Sequence, residues 1–569
     1  LIDPKIGSAN SIAKSLTNII WAPLEKGIES VSLSANWMWP CKNKGEDDRL
    51  YKAVEACSTF AINLGINIPT GKDSLSMTQK YDERDVLCPG TVIISAAGNC
   101  SDINNIISPV LNENGGDIYY IDMSNDSFYL GGSAFAQIHK SIGKNAPKIK
   151  DDLYFKKAFN IIQKLINDKK ISSGHDIGSG GLITTLMEMC FPSLNIGMDL
   201  DLDYLEEKDT SKLFFSEKIG LVIQSKFNIE SILKKGNINC KLIGRVVKKP
   251  ILKVKNHSQL LELQISNYRK KWMEISSKME TFQTKKEFAK VRAENVVKQP
   301  LKFKFPPKFS GIYPKKKKYA INAAVLREKG SNSEREMAYI MDMCGFKVRD
   351  VHMTDIIEGR ENLHDINLLV AVGGFSNSDV LGSSKGWAGA FKYNSNARKI
   401  IFDFFNRGDT LTLGVCNGCQ LFIELGMINP NDKKKPKMEF NNSGKFECIF
   451  SPVEIKESSS IMMKSLEGSI LGIWSAHGEG KFSFPYKEEK YQISGKYFYE
   501  KYPSNPNGSD FNTAMLCSKD GRHLVMMPHL ERSTFPWNWG DYPENRKNDK
   551  VSPWVIAFEN AYNWLINTK

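Results

Sequence analysis

Long hydrophobic runs are missing from this chain of 569 residues. No stretch approaches the ~18 apolar residues of a membrane-spanning helix, so no membrane partner is expected. Regularly spaced cysteines are missing too. The eleven present are scattered, without the spacing of a secreted disulfide framework, which points to a reducing, cytoplasmic setting. Only Cys416 and Cys419 form a C-x-x-C, and without a second such pair a structural zinc site is not expected. A concentrated basic stripe is also absent. The net charge is +13, yet the lysines are dispersed. Their densest run, residues 315–318, falls in a stretch that reads as a linker, so no nucleic-acid partner is expected. The chain has no short internal repeat. It starts at Leu1 with no basic-then-apolar leader, and reads as a processed chain or a piece of a larger one.

What is present is one turn that carries chemistry. Residues 414–420 read Gly-Val-Cys-Asn-Gly-Cys-Gln. The four residues before them, Thr-Leu-Thr-Leu, suit a buried strand, and residues 420–426 have helical apolar spacing and end on glycine. Strand, sharp turn and helix make a nucleophile elbow, whose flanking glycines leave room for a strained backbone. The helix N-terminus favours a thiolate at Cys416, and the next backbone N–H is free to stabilise an oxyanion. A redox pair of Cys416 and Cys419 is the competing reading. It leaves the glycines and a distant His-x-Glu unexplained.

From residue 319 strands and helices alternate: strands at 320–326, 346–352 and 368–372, helices at 333–344 and 396–406. That order implies a doubly wound, mostly parallel sheet with its active site at the carboxyl ends of strands. Residues 263–318 change character. Charged helical stretches give way to four prolines and the lysine run, which reads as an interdomain linker. Residues 1–262 mix strands such as 91–96 with amphipathic helices such as 151–166. A boundary near residues 101–115 divides them into two α+β lobes. The expected domains are therefore 1–110, 111–262, the linker 263–318, and 319–569.

A cysteine nucleophile needs a base, and the base an orienting group. His529 and Glu531 stand two apart; on an extended segment they point the same way. A surface His and Glu beside a proline would look alike, but this pair lies in the same α/β domain as the elbow. His477 and Glu479, inside Ala-His-Gly-Glu-Gly, form a rival pair that ranks second. Gly373, Gly374 and Phe375 follow an apolar strand, and such a turn can offer a second oxyanion donor; a plain Gly-Gly turn is the bland alternative. In the first half, residues 175–181 (His-Asp-Ile-Gly-Ser-Gly-Gly) precede an apolar helix at 182–190. That arrangement suits phosphate on backbone N–H groups and Mg²⁺ on Asp176, although a flexible helix cap would look the same. Residues 69–77 read as a second polar loop, where Lys72 could meet phosphate.

Taken together these segments resemble the formylglycinamide ribonucleotide (FGAR) amidotransferase family in its long single-chain form. Glutaminase motifs are legible at 324–328, 373–376, 379–382, 386–388, the Cys416 elbow, 476–480, 505–509 and 526–529. Synthetase motifs are legible at 33–38, 71–74 and 175–176. The resemblance implies aminoimidazole-ribonucleotide-synthetase-like α+β lobes followed by a class I glutaminase domain. It implies an ATP-dependent ligase of purine biosynthesis that converts FGAR and glutamine to FGAM, glutamate, ADP and phosphate. Cys416 would be the nucleophile, His529 the base and Glu531 its orienter, with Gly374, Phe375 and Gln420 about the glutamine. ATP or ADP with Mg²⁺ would sit in the first half, with Asn18 and Asp176 as metal ligands and Gly178 near nucleotide. The chain matches only the later synthetase half, so its expected partner is the other half, on the same or a separate chain.

Some positions depart from the family pattern. Lys14 replaces a glutamate metal ligand, and Phe440 and Ile449 replace arginines. Leu530 replaces a proline and Gly178 a serine. The lost charges motivate an alternative, a non-catalytic remnant that serves as a structural partner.

Overall fold

The computed structural model describes residues 2–315 and 320–568. Beyond Lys315, the basic run expected at 315–318 lies outside those residues. The chain divides into two compact units, Leu1–Trp272 and Met273–Lys569. Among the described residues no helix is long and apolar enough to cross a membrane.

The first unit is built on a seven-stranded, largely antiparallel sheet, buried on both faces at Asp117–Asp122 and Gly220–Ser225. Its strands run in the order Gln259–Gln264, Ile251–Asn256, Gly197–Asp201, Cys240–Val247, Asp117–Asp122, Gly220–Ser225, Ser173–Asp176. Side chains of one strand alternate between two cores. Tyr119 and Ile121 face the helix Asp152–Asn167, whereas Ile118 and Tyr120 face the helix Gly181–Cys190. The Asp151 side chain starts the first of these helices by accepting from the N–H groups of Leu153 and Tyr154. The helix Pro4–Ile19 and the strand Val31–Met38 send Ile12, Leu16 and Leu33 into the same core as Tyr119. The two expected lobes thus share packing.

Residues 69–77, expected as a loop, are mostly strand. Asn67–Ser74 pairs in parallel with Val31–Met38 at the edge of a three-stranded sheet. Pro69 and Gly71 are tolerated because an edge strand leaves one row of backbone groups unpaired.

The second unit carries a nine-stranded sheet. Five strands are parallel, in the order Phe346–His352, Ile321–Arg327, Leu368–Ala371, Leu411–Val415, His523–Met526. Four more extend it antiparallel: Thr513–Cys517, Gln492–Tyr497, Glu447–Ile455, Ile470–His477. The doubly wound part is therefore only the first five strands.

The stretch 263–318 is not a free linker where it is described. It holds the helices Ile265–Glu280 and Lys286–Asn295. Phe303 and Phe305 then stack edge-on against Trp539, and Lys304 pairs with Ile470. Arg292 reaches the buried carboxylate of Glu447 at 2.8 Å and the hydroxyl of Tyr502 at 3.0 Å. The prolines interrupt helix without freeing the chain, because its aromatic residues have a surface to cover.

Candidate active site

Leu411–Val415 is a fully buried strand, and Cys416 follows it directly with φ +52° and ψ −106°. A non-glycine residue held there is strained, and only surrounding structure keeps it. Two glycines make the room. A β-carbon on Gly418 would stand 2.0 Å from the carbonyl oxygen of Ala371, and one on Gly414 2.6 Å from that of Gly418. The helix Asn417–Glu424 starts at the next residue. The cysteine is buried, its N–H donating to Met526 O at 2.8 Å and its Sγ lying 3.6 Å from Ala476 O.

His529 and Glu531 come together beside it, but by a turn and not by strand alternation. Leu530 is right-handed helical (φ −68°, ψ −33°) and leads into the short turn Glu531–Ser533. That bend brings His529 Nδ1 to 2.6 Å from Glu531 Oε1, with both side chains buried. Burial alone would lower the imidazole pKa. The charge of Glu531, then that of Cys416, outweighs it and pushes His529 up to about 9. Glu531 is held below the usual carboxylate range despite burial, because the imidazolium favours its ionised form. Nε2 of His529 is left without a hydrogen-bond partner, on the ring edge not used by Glu531. A β-carbon on Gly373 would stand 2.7 Å from His529 Cε1 and 3.4 Å from Cys416 Cβ, so one small residue touches both.

The two turn residues expected as oxyanion donors differ. Gly374 has φ +120°, and a β-carbon there would press on Ser331 Cα at 2.6 Å. Phe375 does not have its N–H free: it donates to Gly330 O at 2.9 Å. Its ring, half exposed, meets Phe446 at 6.0 Å. Gln420, expected to meet glutamine, has its side-chain amide engaged at both ends. It donates to Glu479 O at 2.7 Å and accepts from Asn417 Nδ2 at 3.0 Å.

The rival base is held neutral. His477 is buried, and burial together with the nearby His529 pushes its pKa down to about 3. Its Nδ1 meets Asn441 Oδ1 at 3.2 Å and its Nε2 meets Asn507 Nδ2 at 3.4 Å. Both ring nitrogens are therefore occupied. Asn441 also donates to His477 O and accepts from Gly480 N, which fixes the loop 476–480 over Cys416. Asn441 and Asn507 carry no signal in the sequence beyond their motifs; only the fold shows what they hold.

In the first unit Asp176 ends the strand Ser173–Asp176, its carbonyl accepting from His175 Nδ1 at 2.8 Å. Gly178 has open space where a β-carbon would go, and Gly180 and Gly181 adopt φ +87° and +73° ahead of the helix. Glu217 fills part of this loop. Its Oε1 accepts from the N–H groups of Gly180 (3.1 Å) and Ala134 (2.8 Å), and its Oε2 lies 3.7 Å from Lys14 Nζ. Asn18 is exposed. Lys72 donates to Ser74 Oγ at 2.7 Å on the edge strand. Among the described residues no group of three His, Cys, Asp or Glu side chains could hold a metal ion. Mg²⁺ needs about six oxygens; Lys14 stands beside Glu217, and His175 stands 3.6 Å from Asp176 and 3.4 Å from Glu188, so the residues present do not fit that ion.

Comparison with known proteins gives a consistent picture. Residues 320–565 match the family model for the CobB/CobQ-like glutamine amidotransferase domain. Residues 1–99 match an FGAR-AT PurM_N-like domain, and 126–256 the C-terminal domain of AIR synthase related proteins. The chain is 37% identical to a probable phosphoribosylformylglycinamidine synthase, chloroplastic/mitochondrial, of Arabidopsis thaliana, over 99% of this chain and 42% of that one. It is 35% identical to a probable phosphoribosylformylglycinamidine synthase of Caenorhabditis elegans (100% and 47%). It is 34% identical to the Homo sapiens phosphoribosylformylglycinamidine synthase (100% and 45%). The chain thus spans less than half the length of the curated relatives it matches.

Proposed function

This chain is a relative of the phosphoribosylformylglycinamidine synthases along its whole length, and from that premise we propose that it supplies the glutaminase and part of the synthetase of such an enzyme. The overall reaction would be FGAR, glutamine and ATP to FGAM, glutamate, ADP and phosphate. The observation that carries the glutaminase reading is the strained Cys416 beside a buried His529–Glu531 pair 2.6 Å apart.

In this reading Cys416 Sγ, its proton held by His529, attacks the side-chain amide carbon of glutamine. The developing oxyanion is met by the N–H of Asn417, which as the first residue of its helix has no intrahelical acceptor. His529 returns the proton to the leaving nitrogen, and ammonia departs from a thioester. Water, deprotonated by the same imidazole, then releases glutamate and frees the thiol. Glu531 keeps Nδ1–H donating to itself, so that Nε2 faces the reaction. Gly373 leaves the space that a side chain would take from His529 and Cys416.

For the synthetase part, ATP or ADP would bind near the loop 178–181, whose glycines let backbone approach phosphate. Mg²⁺ at Asn18 and Asp176 draws no support from this donor set. Lys14 beside Glu217 favours a second reading for this part alone, in which the first unit is a structural partner and not a working half. The domain division proposed is the synthetase-like segments 1–110 and 111–262, the connecting stretch 263–318 and the amidotransferase domain 319–569.

The test is glutamate release from glutamine by the wild-type chain and by Cys416→Ala, with and without a supplied amino-terminal synthetase half. Release that vanishes with the cysteine supports the proposal; none under any condition, from folded protein, refutes it. The chain alone should not form FGAM from FGAR, ATP and ammonia.

A further inference from the structure

Residues 328–333, Glu-Lys-Gly-Ser-Asn-Ser, contain no side chain that reacts, yet they touch both halves of the site. Three backbone bonds tie them to the glycine turn: Asn332 N to Gly373 O (2.9 Å), Phe375 N to Gly330 O (2.9 Å) and Asn377 N to Lys329 O (2.8 Å). The contact is close enough that a β-carbon on Gly330 would stand 2.3 Å from Phe375 O. Ser331 tightens the loop on itself, its Oγ donating to Glu328 O at 2.8 Å and accepting from Glu328 N at 3.1 Å.

The same loop reaches the residues around the base. Arg532 Nη2 donates to Asn332 Oδ1 at 2.6 Å, and Arg532 Nε stands 3.9 Å from Glu531 Oε1. Ser333 precedes the helix Glu334–Met343 at φ +67°, a conformation unfavourable for a non-glycine residue, and does not cap that helix. Its hydroxyl is buried, as is Glu531 Oε2, and neither has a hydrogen bond elsewhere. The Ser333 hydroxyl adds to what holds the Glu531 carboxylate in its ionised form, after His529 and Arg532. A serine kept in a strained backbone, away from its usual capping role, points to a use for its hydroxyl.

We propose that the loop 329–333 is a brace that locks the Gly373 turn to the His529–Glu531 pair, with Asn332 and Ser333 as positioning residues: Asn332 holds Arg532 beside the carboxylate, and Ser333 offers it a hydroxyl. This rests on the glutaminase reading of Cys416, His529 and Glu531. Neither residue is among those expected about the glutamine (Gly374, Phe375, Gln420), so their loss should spare substrate binding and slow the chemical step.

The experiment uses the full chain with Asn332→Ala and Ser333→Gly, measuring kcat and KM for glutamine, the rate of Cys416 alkylation by iodoacetamide, and the melting temperature. Both variants should keep KM within about twofold and lose about tenfold in kcat, with alkylation slowed to match. Ser333→Gly should melt no lower than wild type, since glycine relieves the left-handed backbone. Wild-type kcat and alkylation in both variants would overturn the brace, as would a rise in KM equal to the loss in kcat. If wild-type protein releases no glutamate, the glutaminase reading fails, while the alkylation rates still decide the brace.

Discussion

Gly373 lies against the imidazole of His529: a β-carbon there would stand 2.7 Å from Cε1, and 3.4 Å from the β-carbon of Cys416. The glycine is needed for the space it leaves. Gly373→Ala should keep the fold and displace the imidazole. Glutamate release should fall at least about a hundredfold, as misplacement by an ångström does elsewhere. Steady-state kinetics beside a far-ultraviolet circular dichroism spectrum would check both halves of the statement.

Glu531→Gln keeps the size of the side chain and removes the charge that holds the imidazolium. Its effect should fall on kcat, by about 10²–10⁴, because the imidazole loses both its tautomer and its electrostatic partner. A variant within twofold of wild type would show that Glu531 does not orient the base.

The pair also sets a pH window. His529 is raised from its ordinary 6.5 to about 9. Its contribution to stability is therefore complete below pH 6.5 and lost as pH rises through about 9. Glu531 is lowered from 4.5, so its contribution is present above that pH and is lost as pH falls through its own depressed value. Glutamate release should fall on the alkaline side near pH 9, where the imidazole is no longer protonated and cannot give a proton to the leaving nitrogen. In Glu531→Gln that limb should move to lower pH. A kcat profile from pH 5 to 10 reads both.

Arg292→Ala would strand a buried carboxylate. Glu447 is nearly fully buried, while the Arg292 side chain is 32% exposed, so the cost should be below the ~3–5 kcal/mol of a fully buried pair, about 2 kcal/mol. Urea unfolding measures it. Tyr502 would keep one hydrogen bond to the same carboxylate, at 3.0 Å.

In the first unit two neighbouring glycines should respond differently. A β-carbon at Gly178 meets nothing within 4 Å, so Gly178→Ser should leave stability unchanged. Gly181→Ala would bring a methyl group to 2.4 Å from Phe214 O at φ +73°, which should cost at least about 1–2 kcal/mol. Thermal melts of the two variants separate these outcomes.

Much of this architecture was legible because it is locally encoded. The helix Ser395–Asn406 and the strand Phe346–His352 fall within a residue of their sequence-based bounds. Their apolar periodicity and their packed faces are the same fact. The elbow was legible for a related reason: glycines flank Cys416, and the backbone there has no other way to turn. Asn67–Ser74 was not legible, since its Pro, Gly, Asp and Ser are turn formers and only pairing with Val31–Met38 makes it a strand. The described part of 263–318 misled for the opposite reason. Its prolines and charges announce a linker, while Phe303, Phe305 and Arg292 find partners more than a hundred positions away.

The residue types of the site were set by sequence alone: a cysteine at a glycine-flanked turn, and a histidine two residues from a glutamate. Tertiary structure decided their relations. A helical turn at Leu530, and not alternation along a strand, joins His529 to Glu531. Contact with Gly330 takes the N–H of Phe375, and burial between two asparagines makes His477 a neutral support instead of a base. Hydrogen bonds between segments 30 or more residues apart leave no periodicity in the chain. They arise only when the sheet brings the ends of Leu368–Ala371, Leu411–Val415 and His523–Met526 side by side.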